Sequence, residues 1–139
     1  MTISLWLKPS HMGGMRYVLS RALPDLTKID YTLMIHYEGN IELEIGQNDA
    51  NSVSLLSNAI IPLEQWSHAA ITLNGSIASI YINGQLDCNI DYEYRIPNQD
   101  YNLIIGANQD KTSGYNGLLD DIHIFNRALN QQQIQALAQ

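Results

Sequence analysis

Two Asn-Gly pairs, Asn74-Gly75 and Asn83-Gly84, stand nine residues apart in the stretch Trp66–Leu86, which reads WSHAAITLNGSIASIYINGQL. Each pair lies between runs rich in Ile, Leu, Tyr and Ala. Asn and Gly tolerate the positive φ angles that both central positions of a type I′ turn require, so this pattern is a strong signal for a β-hairpin. The two turns predict a three-stranded antiparallel meander, with strands at about 66–73, 77–82 and 85–90.

Short apolar runs separated by turn residues continue along the chain. A tight hairpin is predicted at Glu38-Gly39, between the runs Tyr31–Tyr37 and Asn40–Ile45. In the second run (NIELEI) the aliphatic side chains point to one face and Glu42 and Glu44 to the other, which is typical of a strand with one solvated face. Further strands are predicted at Thr2–Leu7, Arg16–Arg21, Val53–Ser57, around Ile60-Ile61, Leu103–Gly106 and Gly117–Phe125.

Only the last ten residues have a helical pattern. Asn130 is the predicted N-cap with Gln133 as a weak capping partner, and Ile134 and Leu137 form the apolar stripe. A helix this short is marginal in isolation, so we expect it to dock on a sheet. Many short strands and one terminal helix predict an all-β sandwich or barrel, formed by residues 1–139 as a single domain.

The charge of the chain excludes several classes of function. Seven basic and fourteen acidic residues give a net charge of -7, and an acidic surface repels nucleic acid and anionic membranes. No apolar run approaches the roughly 20 residues that a membrane helix needs, so no membrane insertion is expected. The N-terminus shows no basic region followed by an apolar stretch, so no signal peptide is visible. Cys88 is the single cysteine and permits no internal disulfide.

Five segments of the chain carry a family resemblance, and they occur in the order TISLWLKP, YVLSR, IPLEQWSHAAITLNGSIASIYINGQL, NLIIGAN and YNGLLDDIHIFNRAL. Together they cover most of the sequence and resemble the laminin-G-like branch of the concanavalin A-like lectin/glucanase superfamily. The resemblance implies a concanavalin A-like jelly roll, in which two antiparallel sheets form a sandwich. It adds the topology to the sandwich that the turns and strands already predict.

The resemblance also implies that one strand is missing. Members of the family usually have a strand or two before the segment that Thr2–Leu7 resembles, and the absent strand would lie beside Gly117–Phe125. An uncovered strand exposes backbone groups that pair readily with another chain. We therefore expect strand exchange in a homo-oligomer, or a segment supplied by a neighbouring chain. The alternatives are an excised fragment, or closure of the gap by the loop after Pro9.

Asp120 and Asp121 lie side by side in the predicted strand Gly117–Phe125, although acidic residues are depleted in strands. Regular alternation places Asp120 on the more aliphatic face, so we expect its side chain to point inward. A buried carboxylate needs backbone N–H donors, an arginine or a metal ion. Family members often hold a structural Ca²⁺ near this element, so the resemblance implies Asp120 as a Ca²⁺ ligand. A hydrogen-bonded structural aspartate is the alternative.

Two polar loops are the candidate ligand sites. Loop Asn108–Asn116 and loop Asp91–Tyr101 combine tyrosines with amides and carboxylates. Tyrosine stacks on the apolar face of a sugar ring while amides and carboxylates bind its hydroxyls, so this composition is typical of glycan binding. Ordinary loop polarity and strand alternation are the alternative explanation. The predicted binding residues are Tyr92, Tyr94, Asn108, Asp110, Tyr115 and Asn116.

Catalysis is not predicted. Glucanases of the resembled superfamily use a strand of the form Glu-x-Asp-x-x-Glu, and Glu42-Leu43-Glu44 lacks a third acid in register. We therefore predict a non-catalytic binding module that recognises a glycan or a protein surface through its rim loops. The alternative is a structural or adhesion building block, such as a phage decoration or fibre protein or a surface appendage subunit. Either function implies an extracellular, cell-surface or virion setting.

Overall fold

The chain folds into two antiparallel sheets and one short helix in a computed structural model that describes residues 1–23, 29–48, 51–93 and 101–139. The elements are β1 (Thr2–Pro9), β2 (Arg16–Ala22), β3 (Ile29–Ile35), β4 (Asn40–Asn48), β5 (Asn51–Ile60), β6 (Ser67–Leu73), β7 (Ile77–Ile82), β8 (Gln85–Asp91), β9 (Leu103–Ile105), β10 (Gly117–Phe125) and α1 (Gln131–Leu137).

The strand order is β10-β1-β6-β7-β8 in the first sheet and β5-β4-β3-β2-β9 in the second. The two sheets share one apolar core, so the predicted all-β sandwich is confirmed. The short helix follows the last strand, also as predicted. Among the described residues, no helix is both long enough and apolar enough to span a membrane.

Alternation along the strands builds the core. Glu42 and Glu44 are only half-buried on the outward face of β4, as the NIELEI pattern predicts. The side chains on either side of them are fully buried, and β1 follows the same rule. The core residues of these two strands are Ile3, Leu5, Leu7, Ile41, Leu43 and Ile45.

The predicted meander is confirmed as β6, β7 and β8. Asn83 and Gly84 have φ angles of 48° and 78°, as a type I′ turn requires. The other Asn-Gly pair differs, because only Gly75 has a positive φ. There the Asn74 Oδ1 accepts N–H groups from Ser76 at 3.0 Å and Ile77 at 2.8 Å. The Asn74 side chain therefore closes a three-residue turn, in place of the predicted two-residue one.

Two of the predicted strands near residue 55 form one continuous strand, β5. Its pairing with β4 shifts register between Asn40 and Glu42, which marks a bulge. The Ser57 hydroxyl fills the irregular position, because it accepts the Ile41 N–H at 2.8 Å and donates to the Ala59 carbonyl at 2.8 Å. The bulge explains why the apolar pattern looks interrupted in the sequence.

Asp87 on β8 joins the edges of the two sheets at one flank of the sandwich. Its carboxylate accepts the N–H groups of Asn58 at 2.6 Å and Ala59 at 3.0 Å, both on β5. The Asn58 amide also donates to the Asp87 carbonyl at 3.0 Å. We call this set of contacts the Asp87 clasp. Because β8 meets β5 here, β10 and β9 are left as the two edges of the opposite flank.

We expect Asp87→Ala to lower the free energy of unfolding by about 2 kcal/mol, since it removes two charge-assisted hydrogen bonds between the sheets. Urea denaturation followed by tryptophan fluorescence measures the change. Asp91→Ala is the matched control, because Asp91 is an exposed residue on the same strand, and its expected effect is within about 0.5 kcal/mol. Equal losses in the two variants would contradict the clasp.

The segment after β10 covers the outward face of the first sheet. Asn130 and Gln133 form the predicted capping box, and Ile134 is fully buried in a small cluster with Ala70 and Leu129. The Thr2 hydroxyl donates to the Arg127 carbonyl at 2.8 Å and accepts the Leu129 N–H at 2.9 Å. The helix therefore docks on the sheet, as its short length requires.

His68 is buried on the same outward face of the first sheet. Its Nε2 lies 2.8 Å from the Ser4 Oγ, and the edge of its ring meets Trp6 at a centroid distance of 5.5 Å. The Nδ1 atom is buried and has no hydrogen-bond partner in the described part of the chain. Burial lowers the pKa of His68 to about 4, with a smaller contribution from His123. The ring is therefore neutral at pH 7.

A bulge interrupts β10 opposite β1. Ser4 pairs with His123 and Trp6 with Asp120, so two residues of β10 stand opposite Leu5. Asp121 takes up the distortion with a φ of 45°. The bulge reverses the alternation along the strand, so Asp120 shares the outward face with Trp6 and is exposed. The prediction that Asp120 points inward, which assumed regular alternation, is wrong.

Candidate functional site

Polar side chains line the outward face of the second sheet. Directly opposed residues in antiparallel strands project from the same face, and the pairing places Ser20 beside Thr32 and Thr32 beside Glu44. The next row brings Tyr17, Met34 and Glu42 into register. We call the outward-pointing side chains of Tyr17, Ser20, Thr32, Glu42 and Glu44 the Tyr17 face; the two glutamates are half-buried and the other three residues are buried.

The tyrosine of this face lies within the electrostatic influence of acidic groups. Tyr17 is 8% exposed. Burial raises its pKa, and the carboxylates of Glu44, Glu42 and Asp110 raise it further. The Glu44 Oε1 also accepts the Ser52 hydroxyl at 2.6 Å. The arrangement therefore combines one protonated phenol, which can donate a hydrogen bond, with several carboxylate acceptors.

The hydroxyl groups of Ser20 and Thr32 are the buried part of this polar row. Ser20 and Thr32 are fully buried, and their oxygens have no hydrogen-bond partner among residues 1–23, 29–48, 51–93 and 101–139. Buried hydroxyls without protein partners are often satisfied by ordered water. The polar character of the Tyr17 face thus extends below its surface.

Part of the predicted loop Asn108–Asn116 borders the Tyr17 face, because the Ser113 carbonyl accepts the Tyr17 N–H at 3.0 Å. Asn108 is buried, and its Oδ1 accepts the N–H groups of Thr112 at 2.9 Å and Ser113 at 3.2 Å. Asn108 therefore shapes the loop from inside, and its amide oxygen is already engaged within the loop.

Asp110 is the exposed acid of the same loop. Its Oδ1 accepts the Thr112 hydroxyl at 2.7 Å and the Thr112 N–H at 3.0 Å. These hydrogen bonds, the one from the hydroxyl first, hold the pKa of Asp110 below its ordinary value. Asp110 is thus charged at pH 7, and of the predicted binding residues it is the one whose charge raises the pKa of Tyr17.

Tyr115 and Asn116 lie at the entrance to β10. The Tyr115 ring is half-buried against the main core, and its hydroxyl approaches the Leu118 carbonyl at 3.4 Å. Burial raises the pKa of Tyr115. Asn116 is exposed, and its carbonyl accepts the Ser10 N–H at 3.0 Å. Both residues fasten the start of β10 to the end of β1.

Tyr92 follows β8 and is a core residue, at 5% exposed. Its ring is therefore largely buried, and its predicted role in glycan binding stays a prediction. An open depression of about 420 Å³ nearby is lined by Ser76, Asp91, Tyr92 and Glu93. Tyr94, the other tyrosine predicted in this loop, lies outside the described residues.

The surroundings of Asp120 do not supply a calcium ligand set. Its Oδ1 accepts the Asp121 N–H at 2.8 Å, and both carboxylates are exposed. Within the described ranges, no three His, Cys, Asp or Glu side chains lie close enough together to hold a metal ion. Because Asp120 is exposed, its carboxylate does not need a metal ion to offset burial. Calcium binding stays a prediction.

Sequence reasoning missed Tyr17, and it interpreted Glu42 and Glu44 only as the solvated face of a hairpin. The alternation in NIELEI correctly places the two glutamates outside. Their meeting with Tyr17 depends on a register shift between Tyr17 and Leu19 in the pairing of β2 with β3. A register shift of this kind leaves no local signal in the sequence.

Comparison with known proteins supports the same fold. A family profile described as "Concanavalin A-like lectin/glucanases superfamily" matches residues 1–135. A curated relative, the adhesion G-protein coupled receptor V1 of Danio rerio, is 26% identical over 148 residues. That match covers 98% of this chain and 2% of the receptor, so the chain spans only a small part of the relative's length.

Solved structures with similar folds include several ligand-binding domains. The CBM40 of the Ruminococcus gnavus IT-sialidase, bound to α2,3-sialyllactose, superposes with a TM-score of 0.81 at 18% identity, covering 99% of this chain and 82% of that one. Domain 4 of AbnA, an extracellular arabinanase of Geobacillus stearothermophilus in complex with arabinotriose, gives 0.78 at 22%, covering 99% and 66%. A heptameric SAP-like pentraxin of Limulus polyphemus gives 0.77 at 20%, covering 99% and 69%.

Proposed function

Because the chain belongs to the concanavalin A-like lectin/glucanase superfamily, we propose that it is a non-catalytic module that binds neutral glycans on the Tyr17 face. The fold is that of binding domains. At these identities, however, fold likeness does not carry a ligand from one protein to another. The choice of ligand must therefore come from the chemistry of the face.

The strand register carries this proposal, because it sets Glu42 in the row of Tyr17 and Glu44 two residues along the same face. The charges of Glu44, Glu42 and Asp110 all act on Tyr17. Sugar hydroxyls donate hydrogen bonds, and carboxylates are the strongest acceptors that a protein offers them. The Tyr17 hydroxyl supplies a donor to the same ligand. An anionic sugar would add a further negative charge to these three carboxylates, so we infer a preference for neutral glycans over sialylated ones.

A second candidate function is a structural or adhesion subunit that assembles through strand pairing. The exposed strand β10 favours it, because an edge of this kind is a template for another chain. Glycan binding and assembly use different surfaces, so one protein can do both. Laminin-G-like domains are typically extracellular or at the cell surface, and we propose that setting here. A virion setting stays a prediction.

A glycan array tests the binding proposal. The biotinylated chain is displayed on streptavidin, since single sites of this kind bind weakly and multivalent display raises the apparent affinity. We expect signals on neutral oligosaccharides, and a loss of about tenfold or more with Glu44→Gln, which removes a charge-assisted hydrogen bond. Glu38→Gln is the matched control, because Glu38 is an exposed glutamate in the β3–β4 turn.

Three outcomes would overturn the proposal. The first is an array without neutral-glycan signals, and the second is an array with signals confined to sialylated glycans. In the third, Glu38→Gln reduces binding as much as Glu44→Gln does, which would place the ligand elsewhere. Circular dichroism of each variant confirms that the sheets are intact before binding is compared.

A further inference from the structure

The two Asn-Gly pairs of the meander have the same sequence but different surroundings. Asn74-Gly75 joins β6 to β7, and Asn83-Gly84 joins β7 to β8. In such a pair the glycine nitrogen can attack the side-chain amide of the asparagine, because glycine has no side chain to block the close approach. The fold therefore determines which of the two pairs can react.

Contacts with β6 and α1 hold Asn83-Gly84 in place. The Asn83 Oδ1 accepts the His68 N–H at 2.9 Å, and the Asn83 N–H donates to the His68 carbonyl at 2.8 Å. Gly84 is buried, and its carbonyl accepts the side-chain amide of Gln131. A Cβ atom at Gly84 would lie 3.2 Å from the Ala138 Cβ. Rotation of the Asn83 side chain or of the following peptide would therefore disturb both neighbouring elements.

Asn74-Gly75 lies in an open turn, where Asn74, Gly75, Ser76 and Ile77 are all exposed. In the part of the chain that the structure describes, a Cβ atom at Gly75 would meet no atom within 4 Å beyond its chain neighbours. The Gly75 N–H lies near the Tyr92 hydroxyl; burial raises the pKa of that phenol, and the N–H partly offsets the rise. Reaction at Gly75 therefore needs a brief opening, which an exposed turn undergoes readily.

The turn also prepares the Asn74 amide for attack. Its Oδ1 accepts the N–H groups of Ser76 at 3.0 Å and Ile77 at 2.8 Å, and the Ser76 hydroxyl at 3.3 Å. These bonds fold the side chain back over the following peptide, next to the Gly75 nitrogen. Attack at Cγ moves negative charge onto Oδ1, where three donors already point and can stabilise it.

We propose that Asn74 is a site of spontaneous deamidation, which leaves isoaspartate in the β6–β7 turn. The Gly75 nitrogen loses its proton to base and bonds to the Asn74 Cγ, while the bond from Cγ to Nδ2 breaks and ammonia leaves. Water then opens the cyclic imide. Opening at the main-chain carbonyl carbon gives isoaspartate, and opening at Cγ gives aspartate. One water is consumed for each ammonia released, and nothing is oxidised or reduced.

The modification changes the chemistry of this end of the meander. Isoaspartate routes the backbone through the former side chain, so the Oδ1 bonds that close the turn are lost. A new carboxylate appears beside Ser76, which lines the same depression as Asp91 and Glu93. Like charges then repel at the tip. The exposed product is also a substrate of the chemical class that isoaspartate-specific carboxyl methyltransferases take.

Peptide mapping by mass spectrometry tests the proposal on the complete chain, incubated at mildly alkaline pH. In the folded protein we expect Asn74 to react about tenfold or more faster than Asn83, because only its turn is open. In urea the two rates should become similar, since the dipeptide is the same at both sites. Asn83-Gly84 is thus a matched control within the same molecule.

Methyl transfer from S-adenosylmethionine by an isoaspartate-specific methyltransferase gives a second measurement. Asn74→Ser should abolish most of the label, because serine can still close the turn but carries no amide. Asn89→Ser, at an exposed position on β8, should leave the label unchanged. Circular dichroism confirms that both variants fold.

Three results would overturn the proposal. The first is a folded chain in which Asn83 reacts as fast as Asn74. The second is a folded chain that stays unmodified at Asn74 while the chain in urea reacts. In the third, Asn74→Ser keeps the methyl label of the wild type.

Discussion

Replacing Gly46 with alanine is expected to lower the free energy of unfolding by more than about 3 kcal/mol, or to prevent folding. Gly46 lies on β4 where the strand passes the start of β3. A Cβ atom at this position would overlap the carbonyl oxygen of Ile29. Because that oxygen belongs to the backbone, it can move only if the pairing of β3 with β4 is disturbed.

Urea denaturation of soluble Gly46→Ala, with the yield of folded protein as a second readout, measures this effect. Gly114→Ala is the matched control. There the added Cβ would lie 3.4 Å from the Gly106 carbonyl oxygen and needs no unusual φ, so its expected cost is within about 1 kcal/mol. A stable Gly46→Ala protein within 1 kcal/mol of the wild type, on the order of the control, would contradict the close approach.

The second large effect is a loss of stability in acid that depends on His68. The unfolded chain protonates this imidazole near pH 6.5, whereas the folded chain resists protonation until about pH 4. The folded pKa lies below the unfolded one, so stability is fully present above about pH 6.5 and falls as the pH decreases toward 4. At about 1.4 kcal/mol per pH unit, the loss reaches about 3 kcal/mol at most.

Unfolding free energies measured from about pH 7 down to about pH 4.5 should show this loss in the wild type, and a smaller one in His68→Gln, which cannot titrate. Other titrating groups contribute equally to both proteins. His11→Gln is the matched control, because it replaces an exposed histidine and leaves the buried His68 in place, so this variant should keep the wild-type loss. NMR of the His68 ring protons gives an independent readout, and titration near the ordinary histidine value would contradict the burial argument.

Most of the fold could be predicted because its signals are local. Asn83-Gly84 specifies its turn through φ angles that few other residues adopt. Asn130 and Gln133 specify the start of the helix through hydrogen bonds three residues apart. The NIELEI segment shows which face of β4 is buried, because burial follows the strand period. Each of these signals is complete within a few residues of sequence.

The candidate site was harder to predict because it depends on contacts between distant residues. The bulge at Asp121 places the Asp120 side chain on the outward face instead of the predicted inward one, and no nearby residue indicates the bulge. Tyr92 lies in a segment whose composition predicts a loop, but its side chain is part of the core. Tyr17 meets Glu42 and Glu44 only after β2, β3 and β4 have paired in one register. Composition therefore located the polar loop at residues 108–116, but it missed the surface beside it.

The Asp87 clasp makes one flank of the sandwich more stable than the other. On its side, carboxylate hydrogen bonds fasten one sheet to the other, whereas the far side exposes aliphatic side chains of β9 and β10 to water. Partial opening should therefore begin on the far side, with the clasp serving as a hinge. A strand that inserts at the flank opposite the Asp87 clasp would meet the two sheets where they separate most easily.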